Sequence, residues 1–187
     1  MMNFLTHEEC QSLIEEYKDK LRDSTLLSYS GYGAIPKGMR GSWSARTDSN
    51  NLLVSKICDR ISSILEIDKD RFEDLEVIRY KMGDEFKLHS DFFKSFEALQ
   101  ACEENGNRIA TIIIYLNDNF EGGATDFPLL NVWVEPEEGK FLFFDYSNPD
   151  LKIKSSTAHH GRLVTKGEKW IAALWIRERK RTANKPG

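Results

Sequence analysis

Phe86-Lys87-Leu88-His89-Ser90-Asp91-Phe92-Phe93 is an aromatic and aliphatic run whose composition predicts a β-strand. In a strand, residues i and i+2 point to the same face, so His89 and Asp91 project side by side from one rigid element. An imidazole and a carboxylate so placed are two-thirds of a site with two histidines and one carboxylate, a donor set that leaves positions open on a non-haem iron(II) ion. Zinc with an open position would accept the same donors. The third ligand is then a second histidine, distant in sequence and near in space. The chain has four histidines. His7 belongs to a helix start, which leaves His159 or His160.

Outward from this stretch the texture is that of strands. Leu75 to Tyr80 is β-rich and Gly83-Asp84 marks a turn. Residues 94–107 are polar and read as a loop, or a loop with one helical turn. Arg108 to Leu116 (RIATIIIYL) is the most β-branched run and predicts a central strand. Gly122-Gly123 interrupts, then Ala124 to Phe127, Val132 to Glu135 and Lys140 to Tyr146 read as strands. Asn148-Pro149-Asp150 reads as a turn. The stretch around His159, Gly161 to Thr165, a turn at Lys166-Gly167-Glu168 and a strand from Lys169 to Arg177 complete the pattern.

The N-terminal third is different. Thr6-His7-Glu8-Glu9 has capping-box form, and Cys10, Leu13, Ile14, Tyr17 and Leu21 recur at helical spacing, predicting a helix from about His7 to Arg22. Leu53, Ile57, Ile61, Ile64 and Leu65 form the apolar stripe of a second helix from Asn51 to Leu65. Residues 24–50 between them are rich in Ser, Gly and Arg, a long loop with room for a short strand. It is either a substrate lid or plain surface, with Arg40, Trp43 and Arg46 as its notable side chains. Gly31-Tyr32-Gly33 follows no strand and precedes no helix, so it does not read as a phosphate loop. Two helices followed by about eight short strands predict a mainly β fold with flanking helices (α+β): a double-stranded β-helix, or jelly roll, backed by the N-terminal helices. The expected organisation is a single domain over 1–187, with helical support at about 4–66, a jelly-roll core at about 74–178 and a disordered tail at about 180–187.

Composition narrows the function. A net charge of −4 with no basic cluster gives no reason to expect a nucleic-acid partner. No apolar run approaches the ~18–20 residues that span a bilayer, and the N-terminus lacks the form of a secretory signal. Three widely spaced cysteines, Cys10, Cys58 and Cys102, point to a reducing compartment, so the expected location is cytoplasmic. Neither a serine nucleophile elbow nor a Walker A sequence occurs.

Alternation along the last strand puts Lys169, Ile171, Ala173 and Trp175 on one face. A lysine on an inward face is costly unless it meets an anion; a dicarboxylate cosubstrate would supply one, and small Ala173 leaves space for it. Otherwise Lys169 caps a strand edge beside a turn. Tyr80, Tyr115 and Thr125 are hydroxyl donors placed to join such a pocket.

These residues together resemble the iron(II)- and 2-oxoglutarate-dependent dioxygenases, in the prolyl 4-hydroxylase branch. The opening Phe4-Leu5-Thr6-His7-Glu8-Glu9-Cys10 is similar to that family's. So are Val77-Ile78-Arg79-Tyr80-Lys81-Met82-Gly83 leading to His89-Ser90-Asp91, and Arg108-Ile109-Ala110-Thr111 through Tyr115-Leu116. So too are Glu121 to Pro128, Pro136 to Gly139 before Phe143, and His159-His160-Gly161-Arg162 through Lys169-Trp170. The resemblance runs from about residue 4 to 178 and implies the ligand set His89, Asp91 and His159, with His160 only a neighbour. It implies that 2-oxoglutarate chelates iron(II) and sets its far carboxylate on Lys169, with Tyr80, Tyr115 and Thr125 beside it. Dioxygen is the oxidant, with ascorbate as a reductant. Arg108 and Trp175 match positions on the substrate side. The implied substrate is a peptidyl-proline protein or a small amino acid; oligomeric state is not implied. Phe86 stands where relatives often carry tyrosine, and Leu163 replaces a usual proline. The lack of a peptide-binding extra domain leans the expectation away from collagen-type substrates. The rival from another class is a non-catalytic jelly-roll binding module.

Overall fold

Thr6 starts the first helix. Its hydroxyl accepts from the Glu9 amide at 3.2 Å, and the Glu9 carboxylate accepts from the Thr6 amide at 3.1 Å, the reciprocal pair that Thr-x-x-Glu encodes. The computed structural model describes residues 4–24, 39–94, 99–100, 102 and 104–181. In it, helix α1 runs His7–Tyr17 and buries Cys10, Leu13 and Tyr17. It stops short of Arg22: the charged run Lys18-Asp19-Lys20 cannot extend the apolar stripe, and Arg22–Asp23 is instead strand β1, paired with β2 (Trp43–Arg46). Helix α2, Leu52–Leu65, opens under the Asn51 side chain, which accepts from the amides of Leu53 and Val54. Its buried stripe is Val54, Ile57 and Ile61, whereas Ile64, in the final turn, is exposed.

Two central strands carry the architecture. β5 (Arg108–Tyr115) and β12 (Glu168–Arg177) pair antiparallel, from Ile171 opposite Tyr115 to Trp175 opposite Thr111. Their side chains divide by alternation. Ile112, Ile114, Ala172, Leu174 and Ile176 pack with the helices in one core. Ile113, Tyr115, Ile171, Ala173 and Trp175 face the opposite way, into a second core. The large sheet is completed by β3 (Glu76–Lys81) and β9 (Phe141–Asp145), in the order β1-β2-β3-β12-β5-β9.

A second antiparallel sheet closes the other core. Its strands are β4 (Phe86–His89), β7 (Thr125–Phe127), β8 (Val132–Val134) and β10 (His159–Gly161), ordered β4-β10-β7-β8. β6 (Glu121–Gly122) and β11 (Val164–Lys166) form a short separate ladder. The chain crosses from one sheet to the other between β3 and β4, β4 and β5, β8 and β9, and β9 and β10. This is the double-stranded β-helix, with the helices behind its larger sheet.

The described residues hold twelve strands, more than the eight or so expected, because several are only two or three residues long. A short helix α3, Leu151–Ser156, capped by the Asp150 side chain, was not legible in the sequence. Residues 25–38, including Gly31-Tyr32-Gly33, lie outside the described residues, as do 182–187 of the expected tail. Lys180 and Arg181, placed in that tail by the sequence, are tied down. Lys180 pairs with Asp68 at 3.0 Å, and Arg181 donates to the Phe72 carbonyl at 2.9 Å. Among the described residues no helix is long and apolar enough to cross a membrane.

Candidate metal centre and anion pocket

Strands β4 and β10 are neighbours, and their register sets His159 directly opposite His89. β4 ends at His89 and not at Phe93, because β10 begins at His159 and offers no partner further along. The chain bends at Asp91, so this carboxylate joins the histidines through a turn and not through strand alternation. The ligand atoms of His89, Asp91 and His159 all lie within 4.8 Å of one another. His89 Nε2 is 3.4 Å from Asp91 Oδ1, and His159 Nε2 is 3.8 Å from Asp91 Oδ2.

The other ring nitrogens fix the tautomers. His89 Nδ1 lies 2.7 Å from the Lys87 carbonyl oxygen and His159 Nδ1 lies 3.2 Å from that of Thr157. A carbonyl only accepts, so each Nδ1 carries a proton and each ring turns its Nε2 toward the shared space. Burial pushes His159 down to about 4, against the pull of the Asp91 charge. Burial also opposes the charge on Asp91, but His159, the hydrogen bond and charge of His89, and Arg108 outweigh it and hold the carboxyl well below the usual range. A His159 that burial keeps neutral and an ionised Asp91 are the protonation states that a divalent ion requires of those two ligands. His160 points elsewhere: its Nε2 meets Asp126 at 2.8 Å, beside Arg162. His7 pairs with Glu138 on the surface.

Lys169 lies opposite Tyr80 across the β12–β3 pairing and is 4% exposed. Its ammonium donates to the Gly123 carbonyl at 2.6 Å and stands 5.5 Å and 5.4 Å from the ring centroids of Tyr80 and Tyr115. The Tyr115 and Thr125 hydroxyls meet at 2.6 Å. Among the described residues no carboxylate pairs with Lys169, and burial lowers its pKa to about 7. Gly123 has φ +69, and a Cβ there would come within 3.0 Å of Lys169 Cδ, so glycine lets the lysine lie flat against the backbone. Tyr80, Tyr115, Thr125 and Lys169 are thus one buried group with one cation and no anion, a composition suited to a carboxylate.

Arg108 and Trp175 sit at the far end of the same inner face. The Arg108 guanidinium lies 4.2 Å from the Trp175 ring centroid. It donates from Nε and Nη2 to the two oxygens of Glu73, each at 2.8 Å, and Arg177 Nε approaches the same carboxylate at 2.6 Å. Glu73 was missed in the sequence, since nothing local marks a carboxylate that serves partners 35 and 104 residues away. Two further residues were missed. Thr111 donates to Asp91 Oδ2 at 2.6 Å, and the Tyr146 hydroxyl is 2.8 Å from Thr111 Oγ1. The inward alternation of Thr111, Ile113 and Tyr115 was a usable signal for the first; Tyr146 gave none.

The model of the 2OG-Fe(II) oxygenase superfamily matches residues 75–177. A prolyl 4-hydroxylase-like protein of Acanthamoeba polyphaga mimivirus is 36% identical over 181 residues, covering 95% of this chain and 73% of that relative. Prolyl 4-hydroxylase 13 of Arabidopsis thaliana is 30% identical over 192 residues, covering 94% and 69%. Among solved structures, the viral collagen prolyl hydroxylase of Paramecium Bursaria Chlorella virus-1, in its 2OG complex, superposes with a TM-score of 0.72 at 32% identity, covering 95% of this chain and 93% of that one.

Proposed function

Because this chain belongs to the 2OG-Fe(II) oxygenase superfamily, we infer that it hydroxylates a prolyl residue carried in a peptide or protein, using iron(II) held by His89, Asp91 and His159. The observation that carries the reading is one juxtaposition. Three side chains able to ligate a metal converge at one end of a lined interior, and a buried lysine with no carboxylate partner among the described residues stands further along it. Asp91 is held by Thr111 and Lys169 stands by the Tyr115 ring. Thr111 and Tyr115 lie on one face of β5, four residues or about 13 Å of strand apart. A short dicarboxylate suits that span.

When bound, iron(II) and 2-oxoglutarate would let dioxygen oxidise an unactivated C–H bond, one oxygen atom entering the substrate and the other entering succinate as 2-oxoglutarate loses carbon dioxide. The protein's own part is binding, orientation and exclusion of water. His159 stays neutral because it is buried, and Asp91 stays ionised. Lys169, charged, holds the far carboxylate. The Tyr115–Thr125 pair shares one hydrogen bond, so its second hydroxyl proton is available to the same carboxylate, and Tyr80 flanks it. Arg108 and Trp175 are assigned to the substrate side. The bidentate Glu73 contact holds the Arg108 guanidinium over the Trp175 ring. Cys10, Cys58 and Cys102 are free thiols, which suits a cytoplasmic location.

The test is incubation with iron(II), 2-oxoglutarate, ascorbate and proline-rich peptides, with free L-proline in parallel. The expected result is hydroxyproline in peptide, read as the gain of one oxygen atom with matching succinate. Hydroxylation of free proline with none of peptide would overturn the peptidyl assignment.

A further inference from the structure

We propose that Thr111 and Tyr146 are positioning residues for the metal-ligating carboxylate, holding Asp91 as a ligand through one oxygen and so keeping neighbouring positions on the ion open. The proposal rests on the reading of His89, Asp91 and His159 as the metal centre.

A threonine hydroxyl has one proton. Thr111 spends it on Asp91 Oδ2 at 2.6 Å, a length typical of a hydroxyl bound to a charged oxygen, about 2.5–2.7 Å. The 2.8 Å contact between Tyr146 and Thr111 can then run only one way: the phenol donates and Thr111 accepts. The three groups form a directed chain, phenol to hydroxyl to carboxylate, in which each bond polarises the next. It ends on Oδ2, which lies 3.8 Å from His159 Nε2, while Oδ1 lies closer to the other histidine, 3.4 Å from His89 Nε2, and takes no bond from Thr111.

Both donors are rigidly placed. Thr111 lies mid-strand in β5, flanked by Trp175 of β12 and Phe144 of β9. Tyr146 follows β9, and its amide donates to the Ile109 carbonyl at 2.8 Å. Thr111 is 2% exposed and Tyr146 1%, so water does not substitute for either. Asp91 itself sits on a bend and not on a strand, so its own backbone does not fix its carboxyl group. Without Thr111 the carboxylate is free to rotate about its side chain. It then offers both oxygens to the ion and closes a position that a chelating cosubstrate and dioxygen need.

The test is anaerobic titration with cobalt(II), read by visible absorption, on wild type and on Thr111→Val, Thr111→Ser and Tyr146→Phe. Thr111→Val is expected to weaken cobalt binding by about 10–100-fold, the usual effect of losing a partner behind a metal ligand, and to change the band shape. Thr111→Ser, which keeps the hydroxyl, is expected to restore both, and Tyr146→Phe to show a smaller change of the same kind. Wild-type affinity and spectrum in Thr111→Val would overturn the proposal. If Thr111→Val does not fold, Tyr146→Phe decides: an unaltered affinity and spectrum overturns the relay. No cobalt binding by wild type would remove the metal-centre reading itself, a different pattern from loss in the variants alone.

Discussion

Lys169 is a cation kept nearly out of water with a single carbonyl for a partner, and that has a measurable consequence. Its pKa is lowered to about 7 in the folded chain by burial, against about 10.4 for an unperturbed lysine. Between those values the unfolded chain binds more protons than the folded one, so the stability of the ligand-free protein is expected to rise with pH across that window. Below about pH 7 the cost of the buried charge is fully present. Dicarboxylate binding favours the charged amine, so binding at pH 8 is expected to take up a proton. Calorimetry in two buffers of different ionisation enthalpy measures that uptake, and its absence would contradict the role given to Lys169. At this scale the sequence was informative where chemistry and periodicity coincide. His89, Asp91 and Lys169 were legible because the first two sit in an HxD triplet and the third begins an alternating strand. Thr111 and Tyr146 were not legible as partners of Asp91, nor Glu73 as a partner of Arg108. Their contacts are made 20 to 35 residues away and leave no local pattern.

Strands β5 and β12 show why one element serves two cores. From Ala110 to Tyr115 and from Trp170 to Ile176, even-numbered side chains pack on the helices and odd-numbered ones face the interior of the site, so stability and function are separable by parity there. Ile112→Ala, on the helix side of β5 and fully buried, is expected to cost about 2–5 kcal/mol in denaturant unfolding while leaving metal affinity unchanged. A fall in metal affinity in the folded variant would show that the two faces are coupled. Element types were largely readable from the period of the apolar residues, and element ends were not. α1 ends at Tyr17 because the charges after it break the stripe, and β4 ends at His89 because its partner β10 runs out. The first limit is local charge overriding a longer apolar spacing; the second is set by a neighbour that only the folded chain supplies.

For the whole molecule, the decisive feature is that sequence-distant strands meet. His89 and His159 are 70 residues apart and lie opposite each other in one antiparallel pair, which is what a double-stranded β-helix does with an early and a late strand. The need for that meeting was readable from the scarcity of histidines; the crossings between sheets and the two-residue strands β1 and β6 were not, since two residues carry no period. The central claim is that one interior holds both an iron(II) site and a 2-oxoglutarate carboxylate site. It is tested most directly by adding iron(II) and 2-oxoglutarate without oxygen and following the visible charge-transfer absorption of the chelated keto acid, in wild type, Asp91→Ala and Lys169→Met. The expected result is a band in wild type, lost in Asp91→Ala and requiring far more 2-oxoglutarate in Lys169→Met. A folded, metal-bound wild type that gives no band would contradict the account.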